Sequence, residues 1–196
     1  MKYLVIGGGG FIGSYVVDKL LSDKSVSKVI TYDNFCSGKK WHLKDHMENE
    51  KFELVEKDIY DDALFEYTQN IDVTIMLAAN ADIAAAETDP QIDFNQGTYL
   101  LQIVLDCMRK AGCKKLLYAS GSGVYGETGY ECVREDFSPM EPISTYGASK
   151  LGCEALISSY CHMFGMRASA FRFGNVVGGR QTHGVAYDFM RRLKMN

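Results

Sequence analysis

The stretch from Met1 to Gly13 constrains this chain more than any other. The apolar run Tyr3-Leu4-Val5-Ile6 breaks into Gly7-Gly8-Gly9-Gly10-Phe11-Ile12-Gly13, after which Phe11, Ile12, Val16, Val17, Leu20 and Leu21 recur at helical spacing. A short β-branched run stopped by glycine predicts a buried parallel strand. Glycines at 7, 10 and 13 permit a tight turn, let backbone N–H groups approach a pyrophosphate, and let the helix sit close on the strand. The helix that Phe11 and Ile12 open points its partial positive charge at the same place.

A glycine fingerprint alone is weak, because four glycines in a row satisfy several spacings and a flexible loop would look the same. The next element strengthens it. Lys28-Val29-Ile30-Thr31-Tyr32-Asp33 predicts a second strand ending in an acid about 20 residues after Gly13, where an NAD site needs a carboxylate for the ribose hydroxyls. No arginine closely follows Asp33, and the acid would repel a 2′-phosphate, so NAD is expected rather than NADP. The segment from Asn34 through Ser37 and Gly38 to Lys40 is short-sided and polar. It suits a loop folded over the ribose or adenine end, and equally an ordinary connection.

The alternation continues along the chain. A third strand over 51–56 leads to Asp58 and Ile59, at the strand end that lies beside adenine in such a sheet. Asp58 can accept from the adenine amine there, or cap a helix starting near Asp61. A fourth strand over 73–79 ends in Leu77-Ala78-Ala79, small enough for a cofactor to lie against the backbone. A helix is predicted over 90–111 with Gly112 as its stop and Asn95 in its first turns, as a ligand or a plain surface residue. The fifth strand, 115–119, delivers Ser120-Gly121-Ser122-Gly123-Val124-Tyr125-Gly126 into the ligand crevice, and 127–145 is a candidate lid or substrate loop. Tyr146 opens a helix reaching Phe164, with Gly165 after it. A sixth strand over 167–173 runs into a second glycine-rich loop from Gly174 to Arg180, and a last helix covers 186–195. Six such steps predict an α/β chain: a doubly wound parallel sheet of the Rossmann kind with helices on both faces.

Bulk properties exclude several classes. A net charge of −4 with acids and bases interspersed leaves no basic stripe for nucleic acid. The four-residue apolar start is too short for a secretory signal, and no run approaches a membrane span. The six cysteines form no Cys-x-x-Cys pair, which predicts free thiols in a reducing cytoplasm rather than a zinc site.

Tyr146 and Lys150, four apart, share a helix face. With 12 tyrosines and 14 lysines in 196 residues, about one such pair arises by chance, and Tyr15 with Lys19 supplies one. What distinguishes Tyr146 is its place after a cluster of strand-end hydroxyls. A phenol with a reference pKa of about 10 is a poor base, but a nearby ammonium and a positive nicotinamide ring favour its phenolate. That makes a general base, and a serine hydroxyl nearby can hold the reacting oxygen.

With these residues in hand, the sequence resembles the extended short-chain dehydrogenase/reductase family, and more narrowly its NAD-dependent nucleotide-sugar epimerase/dehydratase branch. The matching motifs are Gly7-x-x-Gly10-x-x-Gly13, Asp33-Asn34, Asp58-Ile59, Leu77-Ala78-Ala79, Asn95-x-Gly97-Thr98, Ser120-x-Ser122-x-Val124-Tyr125-Gly126, Tyr146-x-x-x-Lys150 and Arg172-Phe173-Gly174-Asn175-Val176-Val177-Gly178. The resemblance implies 4-epimerisation of a UDP-hexose through a 4-keto sugar. In it Tyr146 takes the 4-hydroxyl proton, Lys150 binds the nicotinamide ribose, Asp58 and Ile59 flank adenine, and Asn175 meets the substrate diphosphate. It also implies a homodimer through the helices near 90–111 and 146–164.

Two departures from the pattern stand out. Four residues before Tyr125, where the family usually carries a catalytic serine or threonine, this chain has Gly121. The role is therefore expected at Ser122, with Ser120 as the alternative. Family members also continue further to build a substrate lobe, so 1–174 is expected to be the NAD-binding domain and 175–196 only the start of a lobe that is otherwise missing. A 4,6-dehydratase would need an acidic pair where Ser122-Gly123 stands, and a non-catalytic NAD-binding module is the remaining alternative.

Overall fold

The computed structural model describes residues 1–80, 82–129 and 132–195. Their order is β1 (Lys2–Ile6), α1 (Phe11–Ser22), β2 (Lys28–Asp33), β3 (Phe52–Glu56), α2 (Leu64–Thr68), β4 (Val73–Met76), α3 (Gln91–Asp93), α4 (Leu100–Ala111), β5 (Lys115–Gly121), α5 (Thr145–Phe164), β6 (Arg167–Phe173) and α6 (Val185–Met195). The strands form one sheet in the order β3-β2-β1-β4-β5-β6, every neighbouring pair parallel. The direction of winding reverses between β1 and β4, and in such sheets ligands bind at the carboxyl ends of the strands beside that point.

Each central strand feeds two apolar layers, as a sheet covered on both faces requires. From β1, Val5 joins Val17, Val29, Leu43, Phe52 and Ile75 on the α1 side. Leu4 and Ile6 join Met76, Leu101, Leu105, Leu116 and Ile157 on the side of α4 and α5. The β6 edge is barer: Phe171 and Phe173 are exposed, and α6 buries none of its described side chains. No helix among the described residues is long and apolar enough to cross a membrane.

Several predicted boundaries shift: β4 ends at Met76 rather than 79, β5 runs on to Gly121 rather than stopping at 119, and two helices change. The helix expected near Asp61 begins at Leu64 with Ala63 before it, so Asp58 caps nothing; its carboxylate accepts instead from the Tyr60 N–H and the Asn34 amide. The helix predicted over 90–111 is interrupted by a wider π-helical turn, Phe94–Tyr99. The cause is Ser149 on α5. Its hydroxyl donates to the Asp93 carbonyl at 2.7 Å and accepts from the Thr98 N–H at 3.2 Å, entering the helix ladder and spreading it.

Candidate active site

The glycine loop forms where β1 stops. Gly7 turns the chain with φ +82°, in the region that only glycine enters freely, and a Cβ on Gly13 would collide with the Gly7 carbonyl. A Cβ on Gly7 would stand 2.7 Å from the Ala78 nitrogen, so the loop and the end of β4 touch backbone to backbone. Gly10 precedes α1 without any side-chain cap, and α1 has no acid in its first turn. The first N–H groups of α1, with Phe11, Ile12 and Gly13, are thereby left for an anion. These residues fit a dinucleotide pyrophosphate.

Next to the loop, Ile6, Gly7, Tyr32, Asp33, Asn34, Lys57, Asp58, Ile59, Ala78, Ala79, Gln96 and Leu100 line one cavity. Beside Gly7, six sequence-predicted ligands are therefore together: Asp33, Asn34, Asp58, Ile59, Ala78 and Ala79. Asp33 is buried, its oxygens accepting from the Gly9 N–H and the Phe35 N–H at 2.8 Å each. Burial pushes its carboxyl up against the pull of those two bonds. A carboxylate has about four acceptor positions, so two remain for ribose hydroxyls. Leu77 follows β4 with its N–H bonded to the Ile6 carbonyl. Gly38 is buried against Gly9, whereas Ser37 is exposed. Asn95 is exposed outside this cavity, and Gln96 lines it in its place. Sequence reasoning missed Gln96, Tyr32 and Lys57, for which no motif offered a signal.

The second half of the site is the end of β5 against the start of α5. Ser144 caps α5, accepting from the Gly147 N–H at 3.0 Å, and so fixes where Tyr146 emerges. Lys150, one turn on, is buried; its Nζ donates to the Ala119 carbonyl at 2.7 Å and lies 5.5 Å from the centre of the Tyr146 ring. Burial pushes the ammonium down to about 8. The Tyr146 phenol moves the other way from the sequence expectation: burial, then the charge of Asp93, push it up. Asp93 is itself buried, accepting from Asn80 at 2.9 Å and Thr145 at 2.7 Å.

The two candidate serines part company. Ser120 is buried, its hydroxyl donating to Glu154 at 2.6 Å. Glu154 is also gripped by Arg172 at 2.7 Å; burial pushes the carboxyl up, but the bonds from Arg172 and Ser120 outweigh it and hold it low. Ser122 is exposed at the start of the 3-10 turn Ser122–Tyr125. Between them lies Gly121, where a Cβ would touch the Tyr146 ring at 3.8 Å in ordinary contact. Asn175 is exposed beyond β6.

Comparison with known proteins follows the same line. A family model described as the NAD dependent epimerase/dehydratase family matches residues 3–195. A putative UDP-glucose 4-epimerase of Methanocaldococcus jannaschii is 36% identical over 181 residues, covering 91% of this chain and 57% of that protein. Among solved structures, UDP-glucuronic acid 4-epimerase from Bacillus cereus, in complex with UDP-glucuronic acid and NAD, is 29% identical with TM-score 0.91, over 100% of this chain and 63% of that one. The dTDP-glucose 4,6-dehydratase DesIV of Streptomyces venezuelae, a double mutant with NAD bound, is 27% identical with TM-score 0.94, over 100% of this chain and 62% of that one. The chain thus spans less than two thirds of the length of each of these proteins.

Proposed function

The chain belongs to the NAD dependent epimerase/dehydratase family, and from that premise we propose that it carries out NAD-dependent epimerisation of a nucleotide sugar. The finer reading is 4-epimerisation of a UDP-hexose through a 4-keto intermediate. The observation that supports it is the junction of β5 and α5, where a buried Lys150 donates to the Ala119 carbonyl and lies 5.5 Å from the centre of the Tyr146 ring.

Residues 1–174 would hold the cofactor and residues 175–196 would begin the substrate lobe. Gly7, Gly10 and Gly13 with the start of α1 receive the pyrophosphate, Asp33 the ribose, and Asp58 and Ile59 the adenine end. NAD, when bound, supplies the hydride acceptor for C4 and later the donor, and adds a positive charge to the site. Tyr146 removes the proton of the sugar 4-hydroxyl and returns it after the 4-keto sugar has turned over. Lys150 sits 5.5 Å from the centre of the Tyr146 ring, where an ammonium would favour the phenolate and could reach a ribose hydroxyl. Ser122 is the candidate for holding the reacting oxygen, and Asn175 for the substrate diphosphate. A homodimer through the helical segments near 90–111 and 146–164, where Tyr99 and Met163 are exposed, completes the proposal, as does a cytoplasmic setting for six free thiols.

Gly121 favours a second reading, a module that binds NAD without turnover, because no side chain reaches toward Tyr146 from that position. The likeness to a 4,6-dehydratase raises a third, against which Ser122-Gly123 offers no acid for eliminating water. Proton NMR of UDP-glucose and UDP-galactose incubated with NAD-loaded protein separates them. Interconversion at C4 supports the epimerase, a new 6-deoxy methyl signal the dehydratase, and unchanged sugar over protein-bound NAD the module.

A further inference from the structure

The middle of the glycine loop is gripped from its far side. The Gly9 carbonyl accepts from the Lys39 N–H at 2.9 Å and is 2.8 Å from Nδ1 of His42. His42 belongs to the 3-10 turn Lys40–His46, beside core residue Leu43, and is only 4% exposed. Its Nε2 is buried with no hydrogen-bond partner among the described residues.

These contacts dictate the tautomer. A carbonyl only accepts, so Nδ1 carries the hydrogen.

The Gly9 carbonyl and the Gly10 N–H belong to one peptide unit, and that N–H donates back to the Gly7 carbonyl at 3.2 Å. With glycine on both sides, nothing steric stops this peptide from turning over. The bonds from His42 and from the Lys39 N–H hold it from the carbonyl side, and His42 is the side chain among them. We propose that His42 is a positioning residue for the cofactor: it locks the Gly9–Gly10 peptide so that the loop is preformed for the pyrophosphate. Preformation lowers the ordering cost of binding, so the effect falls on affinity. The proposal rests on the glycine loop being the NAD cradle.

Two replacements divide the donor from the ring. The side-chain nitrogen of asparagine occupies the place of Nδ1, whereas that of glutamine occupies the place of Nε2, which has nothing to bond. His42→Asn is expected to bind NAD within about twofold of the original protein, and His42→Gln about tenfold more weakly, by calorimetric titration. Both lose the imidazole packing, so their melting temperatures fall together and stability alone does not sort them. In the unaltered protein, imidazole nitrogen NMR is expected to show a hydrogen on Nδ1. Equal NAD affinity in the two variants, or a hydrogen on Nε2 with Nδ1 bare, overturns the clamp. An unaltered protein that binds no NAD overturns instead the cradle reading beneath it.

Discussion

A side chain built on Gly121 would point at the phenol of Tyr146, its Cβ 3.9 Å from the hydroxyl oxygen and 3.8 Å from Cε1. Nothing else stands nearer than the Phe173 carbonyl at 3.9 Å, so a small residue fits without displacing any neighbour. Under the proposed role of Tyr146 as general base, a hydroxyl at position 121 would stand beside it and could hold the reacting oxygen. Gly121→Ser is expected to raise kcat/KM on the true sugar by on the order of tenfold or more. Ser122→Ala is expected to lower it in the original chain and to matter little in the Gly121→Ser background, where the new hydroxyl takes over. Steady-state kinetics on the two single variants and the double variant decide this, and a loss of activity in Gly121→Ser would contradict the geometry.

Asp33 has two tasks, accepting from the loop at Gly9 and Phe35 while facing the cavity. Asp33→Asn keeps one acceptor and removes the charge. It is expected to weaken NAD by about tenfold and to narrow its advantage over NADP, since a neutral amide no longer repels a 2′-phosphate. Titration with both cofactors measures the ratio.

Lys150 yields a pH dependence whose sign follows from its low folded value. Unfolded, the ammonium holds its proton to about pH 10.4; folded, it releases it near 8. Between those values the unfolded chain binds more protons, so this group makes stability rise with pH, and below pH 8 its burial costs stability in full. Lys150→Met lacks that slope. Urea unfolding at about pH 7.5 and about pH 10 is expected to show the original chain gaining on the variant, by on the order of 2 kcal/mol. Parallel behaviour would contradict the buried ammonium.

Asp93 is an acceptor at both oxygens, toward Asn80 and Thr145, and is buried at the foot of Tyr146. An amide can keep its oxygen toward Asn80 and turn its N–H₂ to the Thr145 hydroxyl, but it gives up two bonds to a charged acceptor. Asp93→Asn is expected to lose about 2 kcal/mol of stability in urea, whereas an unchanged midpoint would show the network to be slack.

Where glycine or polar residues bound an apolar run, the sequence showed the elements to the residue: β2 at Lys28–Asp33, β6 at Arg167–Phe173, and the stops at Gly112 and Gly165, both left-handed. What stayed hidden depended on partners distant in sequence. Ser149 widens the turn at 94–99 from more than fifty residues away, and the altered register goes with Gln96 rather than Asn95 lining the cavity. Ser120 looks like a crevice hydroxyl until Glu154 and Arg172 are brought beside it. His42 carries no motif, because its role exists only once the 3-10 turn folds under Gly9. The phenol of Tyr146 is raised for the same reason, through burial and an acid that only the fold places near it.

If Tyr146 drives a hydride route at C4, an isotope at that carbon follows it directly. UDP-glucose deuterated at C4 is incubated with NAD-loaded protein, and the sugar is examined by proton and deuterium NMR. The expected product is UDP-galactose that keeps its deuterium at C4, formed at least about 10³-fold more slowly by Tyr146→Phe with NAD still bound. Product with protium at C4, product formed as fast by Tyr146→Phe, or no product from protein holding NAD would contradict that route.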